Sequence, residues 1–286
     1  MKFAGCLVAI LLTATTVAEE RRLTTDGRLK SSPIFVDRTG TELIYVVQER
    51  PTQLRLMRLR LDDLSTVPLD AAQTKSELDP AVSLDGKRFA FIQNRANLSL
   101  ALVIRDLLAE KTSEVPPAGG FAGPRSPTFS ADGDRVIYSF ADGERQSLYS
   151  VNLDGKDRKL LIDSPGINIW PDCSPDGRRI AWSSSRDQDY EIYSAAIDGS
   201  DIRRLTTSPK QDLRPRYSPD SSHLALMSNR DGNYEIYVMR SDGTDVRRMT
   251  DNLESDDYPA WHPDGRQFAI VSERDGRHDL YLIPAR

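Results

Sequence analysis

Cysteine, histidine and aromatic residues are all scarce in this sequence. Its 286 residues include 2 cysteines, 3 histidines and 7% aromatic residues. So few cysteines exclude a scaffold held together by several disulfide bonds, and the fold must therefore be stabilised by a hydrophobic core. The hydrophobic fraction of 38% is large enough for such a core and argues against a disordered chain.

The scarce residues also do not form a catalytic or metal-binding motif. His223, His262 and His278 are the three histidines, and the sequence contains no His-x-x-x-His pair. Structural or solvated histidines are therefore expected. Cys173 occupies a position that holds aromatic residues in neighbouring parts of the chain, which favours a packing role. We predict no catalytic residue, no metal ligand and no cofactor.

The first eighteen residues have the pattern of a secretory signal peptide. Met1–Lys2 forms a short positive start, an uncharged stretch of about 16 apolar or small residues follows, and Thr16–Ala18 offers small residues for cleavage. This stretch is shorter than the roughly 20 residues that a membrane-spanning helix needs. We predict cleavage after Ala18 and a periplasmic or secreted protein; a retained membrane anchor is the alternative.

Cleavage would leave an acidic chain. The remaining residues include 37 basic and 43 acidic side chains, a balance that disfavours binding to nucleic acid. Cys6 would be lost with the signal peptide, so that Cys173 could not form an intrachain disulfide bond. We expect a monomer that does not span a membrane after cleavage and does not bind nucleic acid.

Six copies of one short motif organise the rest of the chain. Three strong copies occur at 259–265, 215–221 and 171–177. Three weaker copies occur at 127–133, 80–86 and 33–40. Their last positions are separated by 46, 47, 44, 44 and 44 residues. The motif combines proline, aspartate and glycine as a tight turn does, so these Asp-Gly pairs are interpreted as turn residues rather than catalytic acids.

Each repeat contains four short strand-like segments. In the repeat that begins at Pro215, these segments are 215–218, 224–228, 235–239 and 246–250, separated by Pro, Asp and Gly. No helical hydrophobic pattern follows residue 18. Four-stranded units of this length, repeated around a ring, are typical of β-propeller blades.

The two ends of the chain support a closed ring. The sixth repeat ends with its third strand at 280–283, and Arg21–Thr25 duplicates Arg203–Thr207, a predicted fourth strand. The N-terminal strand would therefore complete the last blade. We predict an all-β fold with one domain over residues 19–286: a six-bladed β-propeller of four-stranded antiparallel blades, closed by the N-terminal strand.

The repeats resemble those of TolB-type β-propellers, which carry the WD40-like PD40 repeat. The resemblance is carried by the Pro-x-Trp/Tyr-Ser/His-Pro-Asp-Gly units and by an Arg-Asp…Tyr-Glu-Ile-Tyr pattern, which segments 186–193 and 230–237 follow closely and segment 274–281 follows more loosely. It implies a periplasmic protein that binds other proteins, as TolB binds Pal and the Tol complex. On this basis we expect a non-catalytic scaffold that binds a protein or peptide partner in the bacterial envelope.

Propeller topology indicates where such a partner would bind. The links into the innermost strands and the loops between second and third strands share one face of the disc, here called the mouth face. The residues just before each repeat proline, here called the pre-proline ring, should surround the tunnel there: Ser32, Asp79, Ser126, Trp170, Arg214 and Tyr258. Trp, Arg and Tyr dominate protein–protein hot spots. The predicted partner-binding residues are Asp79, Trp170, Asp212, Arg214, Asp256, Asp257 and Tyr258.

Two further sets of arginines recur from blade to blade. Arg186, Arg230 and Arg274 begin the loops after the second strands, and acidic residues follow each of them downstream. They are predicted either to form ion pairs between blades or to be a charged rim around the binding face. The pairs Arg203-Arg204 and Arg247-Arg248 lie on outer strands, where charge protects an exposed edge from pairing.

An enzyme is the alternative function. A polysaccharide lyase or hydrolase could place its active site at the tunnel mouth, and lyases of that kind usually need a metal with several histidine or carboxylate ligands. A calcium-type cation bound by carboxylates at the propeller axis is compatible with the acidic mouth, although the sequence shows no ligand set.

Overall fold

A computed structural model describes residues 19–95, 99–117, 123–142 and 145–285. The predicted signal peptide, residues 1–18 with Cys6, lies outside the described residues. Within these ranges the regular structure consists of 24 strands in six four-stranded antiparallel sheets. The prediction of an all-β, six-bladed propeller is confirmed.

The blades follow one another along the chain, each from its innermost to its outermost strand. Blade 1 consists of β2 (Lys30–Phe35), β3 (Glu42–Arg50), β4 (Gln53–Arg60) and β5 (Thr66–Pro68). Blade 2 consists of β6 (Glu77–Val82), β7 (Arg88–Asn94), β8 (Leu100–Asp106) and β9 (Lys111–Val115). Blade 3 consists of β10 (Pro124–Phe129), β11 (Arg135–Asp142), β12 (Arg145–Asn152) and β13 (Lys159–Ile162).

The other three blades have the same order. Blade 4 consists of β14 (Asn168–Cys173), β15 (Arg179–Asp187), β16 (Asp189–Ala196) and β17 (Arg203–Arg204). Blade 5 consists of β18 (Asp212–Tyr217), β19 (His223–Ser228), β20 (Glu235–Arg240) and β21 (Arg247–Arg248). Blade 6 consists of β22 (Asp256–Trp261), β23 (Gln267–Arg274), β24 (Arg277–Pro284) and, from the other end of the chain, β1 (Arg21–Arg22).

The N-terminal strand closes the ring as predicted. β1 pairs antiparallel with β24, and Arg21 and Arg22 lie opposite Leu282 and Tyr281. The pairing continues beyond β1, because the backbone N–H of Leu23 donates to the carbonyl of Leu280 at 2.7 Å. The last blade is therefore built from both ends of the chain.

One buried carboxylate connects the segments that meet at this closure. Asp279 accepts hydrogen bonds from Arg22 at 2.5 Å and from Thr24 at 2.7 Å, both in the N-terminal segment. It also accepts from the backbone N–H of Gly27 at 3.3 Å and lies 3.2 Å from Nζ of Lys30, the first residue of blade 1. The side chains of Asp279 and Lys30 are almost fully buried. This contact joins blade 6 to blade 1 as well as β1 to β24.

Blades 4 and 5 have buried carboxylates at the corresponding position. Each of them binds the second arginine of the Arg-Arg pair on the outer strand. Arg204 binds Glu191 at 2.8 Å, and Arg248 binds Glu235 at 2.9 Å, with both glutamates buried. The preceding arginines, Arg203 and Arg247, have more exposed side chains. The second arginine of each pair therefore stabilises its own blade, and the first remains available to protect the edge.

The core lies between the blades. One hydrophobic cluster occurs at each of the six blade interfaces, including the interface of blade 6 with blade 1. Alternating side chains of β3 show how this arises: Leu43 and Tyr45 pack towards blade 6, while Ile44 and Val46 pack towards blade 2. Because side chains alternate along a strand, each second strand serves two interfaces and reads as a continuous apolar run.

Tight turns join the first and second strands on the face opposite the mouth, here called the turn face. In blade 2, Ser83 donates from Oγ to Asp85 at 2.6 Å, and Gly86 adopts a left-handed backbone with φ of 72°. Ser221 occupies the glycine position in blade 5 and has φ of 63°. The repeat therefore imposes the same turn on a serine that it imposes on glycine.

Candidate functional site

The pre-proline ring coincides with a backbone irregularity in every inner strand. The strand register shifts at these residues in all six blades. All six residues have left-handed backbones, with φ from 49° at Asp79 to 56° at Tyr258. A non-glycine residue rarely adopts this conformation, and strain at one position often marks a site. Because all blades share it, the irregularity belongs to the repeat, and site chemistry must come from the side chains.

Three of these side chains meet in what we call the mouth cluster: Trp170, Arg214 and Tyr258. The guanidinium carbon of Arg214 lies 4.2 Å from the ring centre of Trp170 and 4.0 Å from that of Tyr258. Arg214 also donates from Nη2 to the Tyr258 hydroxyl at 3.2 Å. The three side chains are half-buried, and burial lowers the pKa of Arg214 and raises that of Tyr258.

Loop contacts place this cluster on the mouth face. Asn233, in the loop between the second and third strands of blade 5, donates from Nδ2 to the carbonyls of Asn252 and Glu254 at 3.1 and 2.7 Å. Those two residues belong to the link into blade 6. The two kinds of loop thus share one face, next to the start of each inner strand.

An unusual carboxylate lies near the cluster. Burial raises the pKa of Asp257 to about 6, against the opposing effect of Arg214. Its Oδ1 is buried and has no hydrogen-bond partner among the described residues. A carboxylate in this environment resists ionisation, so the charge beside Arg214 changes near neutral pH.

The remaining predicted acids have different surroundings. Asp79 accepts a hydrogen bond from the backbone N–H of Ser126 at 3.0 Å and so connects blades 2 and 3. Asp212 and Asp256 are fully buried at the start of their inner strands. Asp212 pairs with Arg230 at 2.7 Å, and Asp256 accepts from Asn252 at 2.5 Å. A partner on the surface would not reach these two carboxylates, which instead support the strands that carry Arg214 and Tyr258.

The three rim arginines bind within their own blades. Each guanidinium stacks on a tyrosine of the same sheet, at 4.1, 4.8 and 4.0 Å for the pairs Arg186–Tyr193, Arg230–Tyr237 and Arg274–Tyr281. Two of them also form ion pairs in the same blade, Arg230 with Asp212 and Arg274 with Glu20, next to β1, while Arg186 donates to Ser184 and Ser164. These contacts reinforce single blades rather than linking neighbouring ones.

A cavity that sequence reasoning missed opens on the turn face. It has a volume of about 660 Å³ and is surrounded by residues that follow the repeat prolines, including Phe35, Leu84, Tyr217 and Trp261. None of the seven residues predicted for partner binding lines it. One sequence feature could have indicated this cavity: the residue two positions after each repeat proline varies in size, as in Phe35, Cys173, Tyr217 and Trp261.

An ion pair forms part of the wall of this cavity. Arg216 donates from Nη1 to Asp172 at 3.1 Å, and the backbone N–H of Tyr217 donates to the other oxygen of Asp172 at 2.8 Å. Burial raises the pKa of Asp172, and Arg216 opposes that effect. The indole N–H of Trp261 donates to the Arg216 carbonyl at 2.9 Å, which fixes the aromatic wall relative to the ion pair.

Two features that the described residues lack bear on other functions. The described part of the chain contains no group of three or more His, Cys, Asp or Glu residues placed to hold a metal ion. Nor does any helix in that part have the length and apolar character needed to cross a membrane. Cys173 is free and half-buried, and burial raises its thiol pKa.

Known structures share this fold. A protein assigned as TolB in Agrobacterium tumefaciens is 22% identical over 93% of this chain and 94% of its own, with a TM-score of 0.72. TolB from Acinetobacter baumannii is 20% identical over 86% of this chain and 64% of its own, with a TM-score of 0.69. An oligogalacturonate lyase in complex with manganese is 16% identical over 95% and 94%, with a TM-score of 0.63. At these identities the comparisons establish the fold alone.

Sequence comparison is more specific. No curated protein matches the chain significantly. The family model of the TolB beta propeller domain, with PD40 repeats, matches residues 35–215 and 210–286. Since these matches span most of the six repeats, the chain belongs to the family of TolB β-propeller domains.

Proposed function

We propose that this protein is an exported, non-catalytic scaffold that binds a protein or peptide partner in the bacterial envelope through its mouth face. Membership in the TolB β-propeller family supports a location in the envelope and a partner that is a protein or peptide. The observation that carries the proposal is the mouth cluster, in which Arg214 is stacked between Trp170 and Tyr258 from the two neighbouring blades.

The chemistry of the cluster suits a binding hot spot. Trp, Tyr and Arg contribute most to protein–protein affinity when they are held in a well-packed, largely desolvated setting. Arg214 is held by two rings and one hydrogen bond. Its side chain therefore loses little conformational entropy when a partner binds.

The rest of the pre-proline ring leaves room for a partner. On blades 1, 2 and 3 the corresponding residues are Ser32, Asp79 and Ser126, all smaller than the mouth-cluster residues. The mouth is therefore asymmetric, with large side chains on one half and small ones on the other. A peptide with an apolar or aromatic side chain and a nearby acidic group would complement the rings and Arg214.

The experiment replaces Trp170, Arg214 and Tyr258 together with alanine. Capture of partners from an envelope extract, followed by mass spectrometry, should lose its specific bands, with affinity falling at least about 100-fold if two hot-spot residues contribute. The melting temperature is expected to fall only moderately, because these side chains are half-buried and Trp170 and Tyr258 pack at the margins of two interface clusters rather than in their buried centres.

The matched control is the double variant Arg203→Ala and Arg247→Ala. These arginines lie on exposed outer strands, and their salt bridges involve exposed aspartates. Arg204 and Arg248 are unsuitable as controls because each binds a buried glutamate. Capture that survives in the mouth variant but disappears in the edge variant would show that the partner binds the outer edge instead.

An enzyme at the tunnel remains the second candidate. It is supported by the similarity of the fold to an oligogalacturonate lyase in complex with manganese and by the cavity on the turn face, whose volume of about 660 Å³ suits a small ligand. Inductively coupled plasma mass spectrometry of the purified protein tests for a tightly bound metal. Stoichiometric manganese or calcium, together with cleavage of oligogalacturonate, would replace the scaffold proposal.

A further inference from the structure

The turn-face cavity has the features of a second ligand site, separate from the mouth. Its volume of about 660 Å³ lies within the range of small-molecule pockets. Its walls are mostly apolar, and three aromatic side chains contribute: Phe35, Tyr217 and Trp261. An apolar, concave site with a few polar groups is the usual form of a binding pocket.

The polar groups of the wall can bind an anion. Asp172 and Arg216 form the ion pair, and both oxygens of Asp172 already accept a hydrogen bond. Arg216 is different, because a guanidinium has five N–H donors. Among the described residues its side chain makes one hydrogen bond, to Asp172, and it is 31% exposed. The unsatisfied donors beside the cavity can therefore bind an acceptor from a ligand.

A second arginine lies at the same cavity. Arg38 lines it together with Asp37. Asp37 is engaged by its own turn, where its Oδ1 accepts from the backbone N–H groups of Thr39 and Gly40 at 3.0 and 2.9 Å. Arg38 makes a longer contact, 3.3 Å from Nε to the carbonyl of Leu84. On both sides of the cavity, then, the acid accepts hydrogen bonds from the protein while the arginine keeps unused donors.

We propose that the turn-face cavity binds a monoanionic carboxylate with an aromatic or aliphatic body, its carboxylate on Arg216 and its body against Trp261 and Phe35. Charge-assisted pairing of a guanidinium with a carboxylate is strong and directional. A dianion such as a phosphate monoester fits less well, because Asp172 and Asp37 lie nearby and the apolar walls penalise a second charge.

Such a carboxylate can come from two sources. One is a free acid, and the other is the C-terminal carboxylate of a polypeptide whose last residue is apolar. The probes distinguish them: 4-phenylbutyrate represents the free acid, and an acetylated hexapeptide ending in phenylalanine represents the chain terminus. The matched controls are 4-phenylbutyramide and the same peptide with a C-terminal amide.

Isothermal titration calorimetry of the full chain with each probe tests the proposal. At least one acid is expected to bind at least about ten-fold more tightly than its amide, the factor given by one charge-assisted hydrogen bond. Binding of 4-phenylbutyrate identifies the free acid, and binding of the peptide acid alone identifies the chain terminus. If neither acid binds more tightly than its amide, the proposal is wrong.

Two single variants place the binding at this cavity. Leu84 lines the cavity and is 42% exposed, so Leu84→Glu adds a negative charge at its rim without disturbing the core. Leu108 is 71% exposed on the same face but does not line the cavity. Leu108→Glu makes the same change in charge and is the control. The first variant should lose acid binding and the second should keep it; equal binding by both overturns the proposal.

A double variant tests the role of Arg216. Asp172→Asn with Arg216→Gln replaces both charges and avoids leaving one buried ion alone. It should bind acid and amide equally, because the aromatic walls remain while the guanidinium is gone. An undiminished preference for the acid in this variant would exclude Arg216 as the carboxylate ligand. The mouth-cluster variant should bind both probes as the parent does, which separates this site from partner capture.

Discussion

At the scale of single residues, left-handed backbones show how strongly the repeat dictates local structure. The pre-proline residues and Ser221 adopt positive φ although none is glycine. A side chain in this conformation costs roughly 1 kcal/mol relative to glycine. At Ser221 a hydrogen bond offsets part of that cost, because its Oγ accepts from the backbone N–H of Asp176 in blade 4 at 3.1 Å.

Comparing two variants of Ser221 separates these effects. Ser221→Gly relieves the strain and loses the hydrogen bond, so its stability should stay within about 0.5 kcal/mol of the parent or exceed it slightly. Ser221→Ala keeps the strain and also loses the hydrogen bond, and it should be less stable than the glycine variant by about 0.5–1 kcal/mol. Urea denaturation measures both values. An alanine variant more stable than the glycine variant would contradict the shared turn geometry.

Asp257 provides a pH-dependent prediction at the same scale. Its pKa of about 6 in the folded protein exceeds the reference value of 3.8, because burial disfavours the charged form. Between these pH values the folded state binds more protons than the unfolded state. The contribution of Asp257 to stability is therefore greatest at low pH and is lost as pH rises through about 6.

Asp257→Asn should remove this loss. We expect the variant to exceed the parent in free energy of unfolding by about 3 kcal/mol at about pH 7.5, with the difference shrinking to less than about 1 kcal/mol near about pH 4. Urea denaturation at the two pH values measures it. The control, Asp134→Asn, changes an aspartate whose side chain is 69% exposed and should show no such trend. A constant difference across the range would mean that ionisation of Asp257 is not the cause.

At the scale of elements, closure of the ring depends on more than the two-residue pairing of β1. Asp279 and Glu191 have similar roles in blades 6 and 4, since each binds an arginine and a threonine at the outer strand. Asp279 has an additional partner in Lys30 of blade 1. Its buried position raises its pKa, but Thr24, Arg22 and Lys30 outweigh this and lower it overall.

The matched variants Asp279→Asn and Glu191→Gln test the closure. Both remove a buried charge, but the first also leaves Lys30 without one of its carboxylate partners. We expect Asp279→Asn to destabilise the protein by about 3–5 kcal/mol and to exceed the cost of Glu191→Gln by at least about 1 kcal/mol. Thermal and urea unfolding measure the difference. Equal costs would show that the contact between blades 1 and 6 adds nothing to closure.

At the scale of the whole molecule, periodic features could be predicted from the sequence. The spacing of the prolines gave six blades, and the duplication of Arg21–Thr25 identified the closing strand, because a missing strand in one repeat must be supplied by another segment. The convergence of Trp170, Arg214 and Tyr258 also followed from topology, since equivalent positions surround one axis.

Features that depend on packing could not be predicted in this way. The burial of Asp212 and Asp256 arises from the depth at which their strands begin, which the alternation of side chains does not encode. The turn-face cavity arises because six inner strands leave a central space that their side chains fill unequally. Its Asp172–Arg216 pair joins residues of two blades, and a single repeat carries no signal for such a contact.

The closing strand also determines when the fold can be completed during synthesis. Arg22 is among the first described residues to leave the ribosome, yet its carboxylate partner, Asp279, lies 257 residues later. Until then the N-terminal segment has no sheet to join, and each growing blade exposes an edge to its surroundings. Contacts so distant in sequence form slowly. A chain that lacks its last blade therefore cannot close the ring, and its N-terminal segment stays unpaired until β24 is present.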